Sequence, residues 1–162
     1  MNGGISVKKI CLLLLTSLSL TAVPLYALEN PGLSKGQAVY VPAYSHIYSG
    51  QRALPFLLTV TLSIRNSDSN HEIKITSIDF FRAEGKLGKL ELELPATLMP
   101  LGSMRAVVPG KDNVGGSGAH FIVKWTSEKL ANPPIIESIM IGTQQQQGVS
   151  FTSRGRAIIP SN

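Results

Sequence analysis

The chain has 162 residues, of which 43% are hydrophobic and 15% charged, a balance that supports one packed core and excludes a disordered chain. Fifteen Lys and Arg face ten Asp and Glu, a net charge of +5, but after the adjacent Lys8 and Lys9 the basic side chains are scattered singly, which argues against nucleic acid as a partner. The single cysteine, Cys11, lies near the N-terminus, so everything after it lacks both disulfides and thiolate metal sites.

The N-terminus MNGGISVKKICLLLLTSLSLTAVPLYALEN sets Lys8 and Lys9 ahead of an apolar stretch from Ile10 to Tyr26, with the small residue Ala27 at its end. That is the layout of a secretory signal over residues 1–27. Cleavage after Ala27 leaves 13 basic and 10 acidic side chains, a net charge of +3. An uncleaved segment acting as a membrane anchor is the alternative, although the apolar stretch is shorter than the roughly 20 residues that cross a bilayer. Cys11 sits inside this stretch rather than behind a small residue at its end, so it does not read as a lipid-attachment cysteine. Residues 28–36 form a Pro/Gly-containing lead, and residues 37–160 a single domain.

From there the chain reads as short period-two runs separated by turn residues. QAVYVPAYSHIYSG carries Tyr40, Tyr44 and Tyr48 at spacing four, on one face of a segment that Pro42 confines to a sheet edge. FLLTVTLSIRN places Phe56, Leu58, Val60, Leu62 and Ile64 on a buried face. NSDSNHE offers oxygen side chains at alternate positions but has His71 where a calcium loop needs glycine, so a hairpin connection is expected. HEIKITSIDFF slips by one residue near Ser77, the mark of a β-bulge, with Ile73, Ile75, Ile78 and Phe80 inward. KLELELP is read as a strand with Leu90, Leu92 and Leu94 inward, and AHFIVKWTS as one with Phe121, Val123 and Trp125 inward. MRAVVP, IIESIMIG and VSFTSRGRAII complete the set, with the run Gln144–Gln147 as a hairpin tip. No window keeps a helical stripe. Seven to eight strands at this spacing predict an all-β fold, an antiparallel immunoglobulin-like β-sandwich, with a small β-barrel as the alternative.

Four features bear on function. The glycine loop GGSGA lacks the Lys-Ser/Thr and the helix of a phosphate loop, and Ser117 lacks the strand and helix that flank a nucleophile elbow. Its glycines therefore serve the backbone, with Ser117 a candidate loop contact. His46, His71 and His120 share no metal-ligand spacing, and His120 alternates outward on its strand. The three tyrosines offer an aromatic ridge for a partner. Arg154 and Arg156, placed on one face among Ser150, Thr152 and Ser153, offer guanidinium forks for a carboxylate or phosphate, or a solvated face.

The blocks YVPAYSHIYSG, TLSIRNSD, GGSGAHFIVKW, IMIGTQ and GVSFTSRGRAI, in that order, resemble those of a bacterial family of unknown function, domain of unknown function 3124, across residues 35–159. The resemblance implies one exported domain, and it carries over no site residue. The chain departs from the family's lipoprotein members in lacking a cysteine at the end of its signal.

These features favour an exported, non-catalytic binding or interaction module of the bacterial envelope, whose partner is an envelope protein or small ligand. Its candidate contacts are Tyr40, Tyr44, Tyr48, Ser117, His120, Arg154 and Arg156. No cofactor and no metal is expected. A hydrolase using Ser117 with a histidine and Asp112 or Asp79, and a structural homo-oligomer, stay open as alternatives.

Overall fold

The computed structural model describes residues 32–49, 54–110, 115–144 and 146–159, so the expected leader and Asp112 lie outside the described residues. Among the described residues eleven strands follow in chain order: β1 (Ser34–Pro42), β2 (His46–Ser49), β3 (Leu54–Leu57), β4 (Thr59–Arg65), β5 (Ile73–Phe81), β6 (Ala96–Leu98), β7 (Ser103–Val108), β8 (His120–Ala131), β9 (Ile135–Gln144), β10 (Gln147–Arg154) and β11 (Arg156–Ala157). They form a five-stranded sheet of order β11-β1-β8-β5-β6, a four-stranded sheet of order β10-β9-β4-β7 and the β2-β3 hairpin. All pairings are antiparallel, and the sheets are open rather than closed into a barrel.

The period-two runs become burial. Val60, Leu62 and Ile64 on β4, Ile73, Ile75, Ile78 and Phe80 on β5, and Phe121, Val123 and Trp125 on β8 all fall in the core between the sheets. At about 1.5–3 kcal/mol for each large apolar side chain removed from water, these facing rows supply the main drive for the two sheets to close. The slip in HEIKITSIDFF is a register shift between Ile75 and Ser77 against β8. Beyond the bulge, alternation resumes with Ile78 and Phe80 inward and Phe81 outward.

The count exceeds seven to eight because three runs are split, QAVYVPAYSHIYSG into β1 and β2 among them, and because Ala96–Leu98 (β6) lies in no predicted run. FLLTVTLSIRN breaks at Leu58, where the chain leaves the β2-β3 hairpin and enters the four-stranded sheet. VSFTSRGRAII breaks at Gly155, whose N–H donates to the Ile136 carbonyl as the chain crosses from β10 in one sheet to β11 in the other. The Gln144–Gln147 run does join β9 to β10, with those two glutamines paired. KLELELP is not a strand. Leu90, Leu92 and Leu94 pack against the core while Lys89, Glu91 and Glu93 stay exposed, so the alternation is kept by an extended segment without a ladder partner. Pairing also begins earlier than expected, at Ser34 opposite Ala131, within the lead segment.

NSDSNHE joins β4 to β5 in different sheets, so it is an inter-sheet connection and not a hairpin. Two of its short polar side chains, Asn66 and Asp68, are buried and hydrogen-bonded. Asn66 Nδ2 donates to the carbonyls of His71 (2.8 Å), Met99 (3.0 Å) and Leu98 (3.2 Å), while its Oδ1 accepts from the Asp68 N–H (3.0 Å). Asp68 accepts from the backbone N–H groups of Asn132, Asn70 and His71, and from His71 Nδ1 at 3.2 Å. Three connections are thereby pinned at one end of the sandwich.

The Asn132 N–H, followed by that of Asn70, holds the Asp68 carboxyl at about 2, below its ordinary 3.8. A depressed folded-state value gives stability that is present above the ordinary value and lost as pH falls through the folded one. The melting temperature of the native chain should therefore drop more steeply between about pH 4 and pH 2 than that of Asp68→Asn, followed by circular dichroism. Parallel curves would show that the carboxylate's charge contributes nothing.

Candidate functional site

The outer face of the five-stranded sheet is assembled from rows that the register dictates. Arg156 on β11 stands opposite Tyr40 on β1, Tyr40 opposite Ile122 on β8, and Ile122 opposite Asp79 on β5. The next row holds Pro42, His120 and Phe81, and the row on the other side Ala38, Lys124 and Ser77. Because directly opposed residues share a face, Tyr40, His120 and Arg156 come together although 116 positions separate the first from the last.

Three rings from three adjacent strands stack here. The His120 imidazole lies 4.6 Å from the Tyr40 ring at 25° and 5.1 Å from the Phe81 ring at 9°. These separations match the roughly 4.8 Å between strands, so the rings stand side by side like leaves on the sheet. Tyr40 is 38% exposed and Arg156 is exposed beside it, while His120 and Phe81 are half-buried. A rigid sheet thus presents an amphipathic aromatic ledge, with a phenol hydroxyl, an imidazole, a guanidinium and the Asp79 carboxylate within neighbouring rows. Such a ledge can take a ring or apolar group against it and fix polar groups at its margin. The sequence reading missed Phe81. The slip at Ser77 held the signal, since counting on from the bulge turns Phe81 outward.

The other expected contacts lie elsewhere. The tyrosines do not share a face, because the chain turns after Pro42: the Ala43 N–H donates to the Ala119 carbonyl and the Ser45 N–H to the Gly116 carbonyl. Tyr44 is half-buried with its ring 5.7 Å from Phe151, and Tyr48 is exposed on the β2-β3 hairpin, edge-on to His46 at 5.2 Å. Nor is Tyr40 on an edge, since β1 lies between β11 and β8. Arg154 and Arg156 do not share a face either. The crossing at Gly155 puts Arg154 opposite Glu137 on one sheet and Arg156 opposite Tyr40 on the other. A Cβ at Gly155 would meet Val39 Cγ1 at 2.7 Å, so only glycine lets the strand cross there.

The model of the family described as "Protein of unknown function (DUF3124)" matches residues 36–158. The chain belongs to that family. The matched residues run from within β1 to the residue after β11, so the family's unit is the whole sandwich. No curated protein matches the chain. Among solved structures, it is similar to the crystal structure of Thermotoga maritima 1070, at 16% identity and a TM-score of 0.44, over 74% of this chain and 92% of that one.

The glycine loop is held by its own carbonyls: Gly115 accepts from the Ala83 N–H and Gly116 from the Ser45 N–H. Ser117 is exposed at its tip. Each histidine ring has a partner of its own, His71 with Asp68, His46 with Tyr48 and His120 within the aromatic stack. Asp79 lies one row from His120 on the sheet face. A cleft of about 540 Å³ opens between the ends of β5 and β8, and its charged lining balances Glu72 and Glu128 against Lys74 and Lys129. Among the described residues, no three His, Cys, Asp or Glu side chains group as metal ligands.

Proposed function

We propose that this chain is an exported, non-catalytic binding module of the bacterial envelope, which meets an envelope protein or small ligand on the outer face of the five-stranded sheet. The observation that carries this reading is the Tyr40–His120–Phe81 stack with Arg156 beside it. Aromatic rings on a sheet offer contact area at small entropic cost, and arginine adds a directional fork for an anionic group. The leader pattern of residues 1–27 supports the compartment. The single-sandwich extent of the family supports a module with one job.

Native mass spectrometry of the full-length gene product, purified from its host's envelope fraction without refolding, tests this. The expected spectrum shows a chain beginning near Leu28 together with a bound mass of defined size. Tyr40→Ala and Arg156→Glu should each reduce occupancy by roughly tenfold, the scale of losing one well-placed contact. A bound mass equally retained by both variants would move the site off this face. A complex containing only copies of the chain would favour self-association instead.

A further inference from the structure

The outer face of the four-stranded sheet is built from different chemistry. Register places Arg154, Glu137, Ser63 and Arg105 in one row across β10, β9, β4 and β7. The next row holds Ile135, Arg65 and Ser103, and Arg65 Nη2 lies 3.5 Å from Glu137 Oε1. Three guanidiniums thus stand on a face with a single carboxylate, and it is Arg65 that pairs with it. Arg105 and Arg154 stand at opposite ends of their row, three strand spacings or roughly 14 Å apart, and neither fork is paired with a carboxylate among the described residues.

The four strands of this sheet contain no lysine and no acid besides Glu137. Lys35, Lys74, Lys124 and Lys129 all stand on strands of the other sheet. The distinction is physical: an ammonium holds its water, whereas a planar guanidinium is more weakly hydrated and pairs with carboxylate in two parallel bonds. Beside the arginines on the same face lie aliphatic side chains that a solvated face has no use for: Ile135 in the Arg65 row at 49% exposure, and Val107 at 48% and Ile141 at 52% in the rows beyond Arg105. Arginine enriched, lysine absent and apolar side chains interspersed is the composition of a protein contact surface.

We propose that this face docks an acidic protein partner, whose carboxylates are taken by Arg105 and Arg154 while its apolar side chains cover Val107 and Ile141. Charge complementarity selects the occupant. A second copy of the chain, docked face to face about a twofold axis, would bring three arginines against three and is disfavoured. This surface lies on the opposite sheet from the Tyr40 ledge, so the two proposals stand or fall separately.

The test titrates the purified full chain with short poly-L-glutamate at low salt, and with polygalacturonate as a polyanion that is not a protein. Saturable binding of poly-L-glutamate is expected, tighter than that of polygalacturonate and weakened roughly tenfold or more in R105E/R154E. K86E/K89E, an equal change of charge in the β5–β6 connection, should bind as the native chain does. R105Q/R154Q, which adds no carboxylate beside Glu137, should show the same loss and replaces the first variant if that one fails to fold. Equal weakening in K86E/K89E would reduce the effect to net charge and overturn the proposal. Absence of saturable binding to poly-L-glutamate, or tighter binding of polygalacturonate, would overturn it as well.

Discussion

Replacing Asn66 with alanine should cost the domain about 2–4 kcal/mol, because each polar group left unpaired away from water costs on the order of 1–3 kcal/mol. The side chain is buried, and its amide feeds carbonyls in the β4–β5 and β6–β7 connections while its oxygen holds the Asp68 N–H. Alanine would orphan all four bonds at once. Urea midpoints for the native and variant chains measure the loss, and Asn66→Asp should fare no better, since it removes the donor that three carbonyls need. A cost under about 1 kcal/mol would mean that the loops are held by packing alone.

A second large effect is expected at the glycine loop, and it separates neighbours. A Cβ on Gly115 would overlap Ser45 Oγ and press the Phe80 ring at 3.0 Å, while Gly116 has φ +77° and Ala83 Cβ only 2.8 Å from where its own Cβ would stand. Gly115→Val, by overpacking, and Gly116→Val, by overpacking together with backbone strain, should each destabilise by about 2–5 kcal/mol. Gly118 lacks the left-handed backbone and would meet Ala83 Cβ at an ordinary 3.6 Å. Gly118→Val and Ser117→Ala should therefore stay within about 0.5 kcal/mol of the native chain in the same denaturation series. If Ser117→Ala were the damaging change, the loop would have to be regarded as built around its hydroxyl.

Much of this fold was legible in period-two runs, and even the bulge in β5 could be counted from the slip at Ser77. What alternation cannot state is which strand lies beside which. Leu90, Leu92 and Leu94 alternate as well as any strand, yet no neighbour pairs with them, because inward apolar side chains need a core whereas a ladder needs a partner's backbone. Tyr44 and Tyr48 share a spacing with Tyr40 but not a sheet, since the turn after Pro42 is made by hydrogen bonds to residues more than 70 positions away. For Arg154 and Arg156, one glycine decides the outcome: a strand would set them on one face, and the crossing at Gly155 parts them. The candidate ledge emerged from registers joining β1, β8, β5 and β11, which local pattern does not encode.

The position of β1 has a kinetic meaning. Its neighbours are β8, which starts at His120, and β11, which starts at Arg156, so the first strand in the chain finds no backbone partner until most of the sequence exists. Closing such long loops before any ladder forms is entropically slow, which places the chain among the slower folders for its size. During synthesis β1 stays without a strand partner until β8 has been made, and its other edge is closed only after Gly155 has carried the chain across to β11.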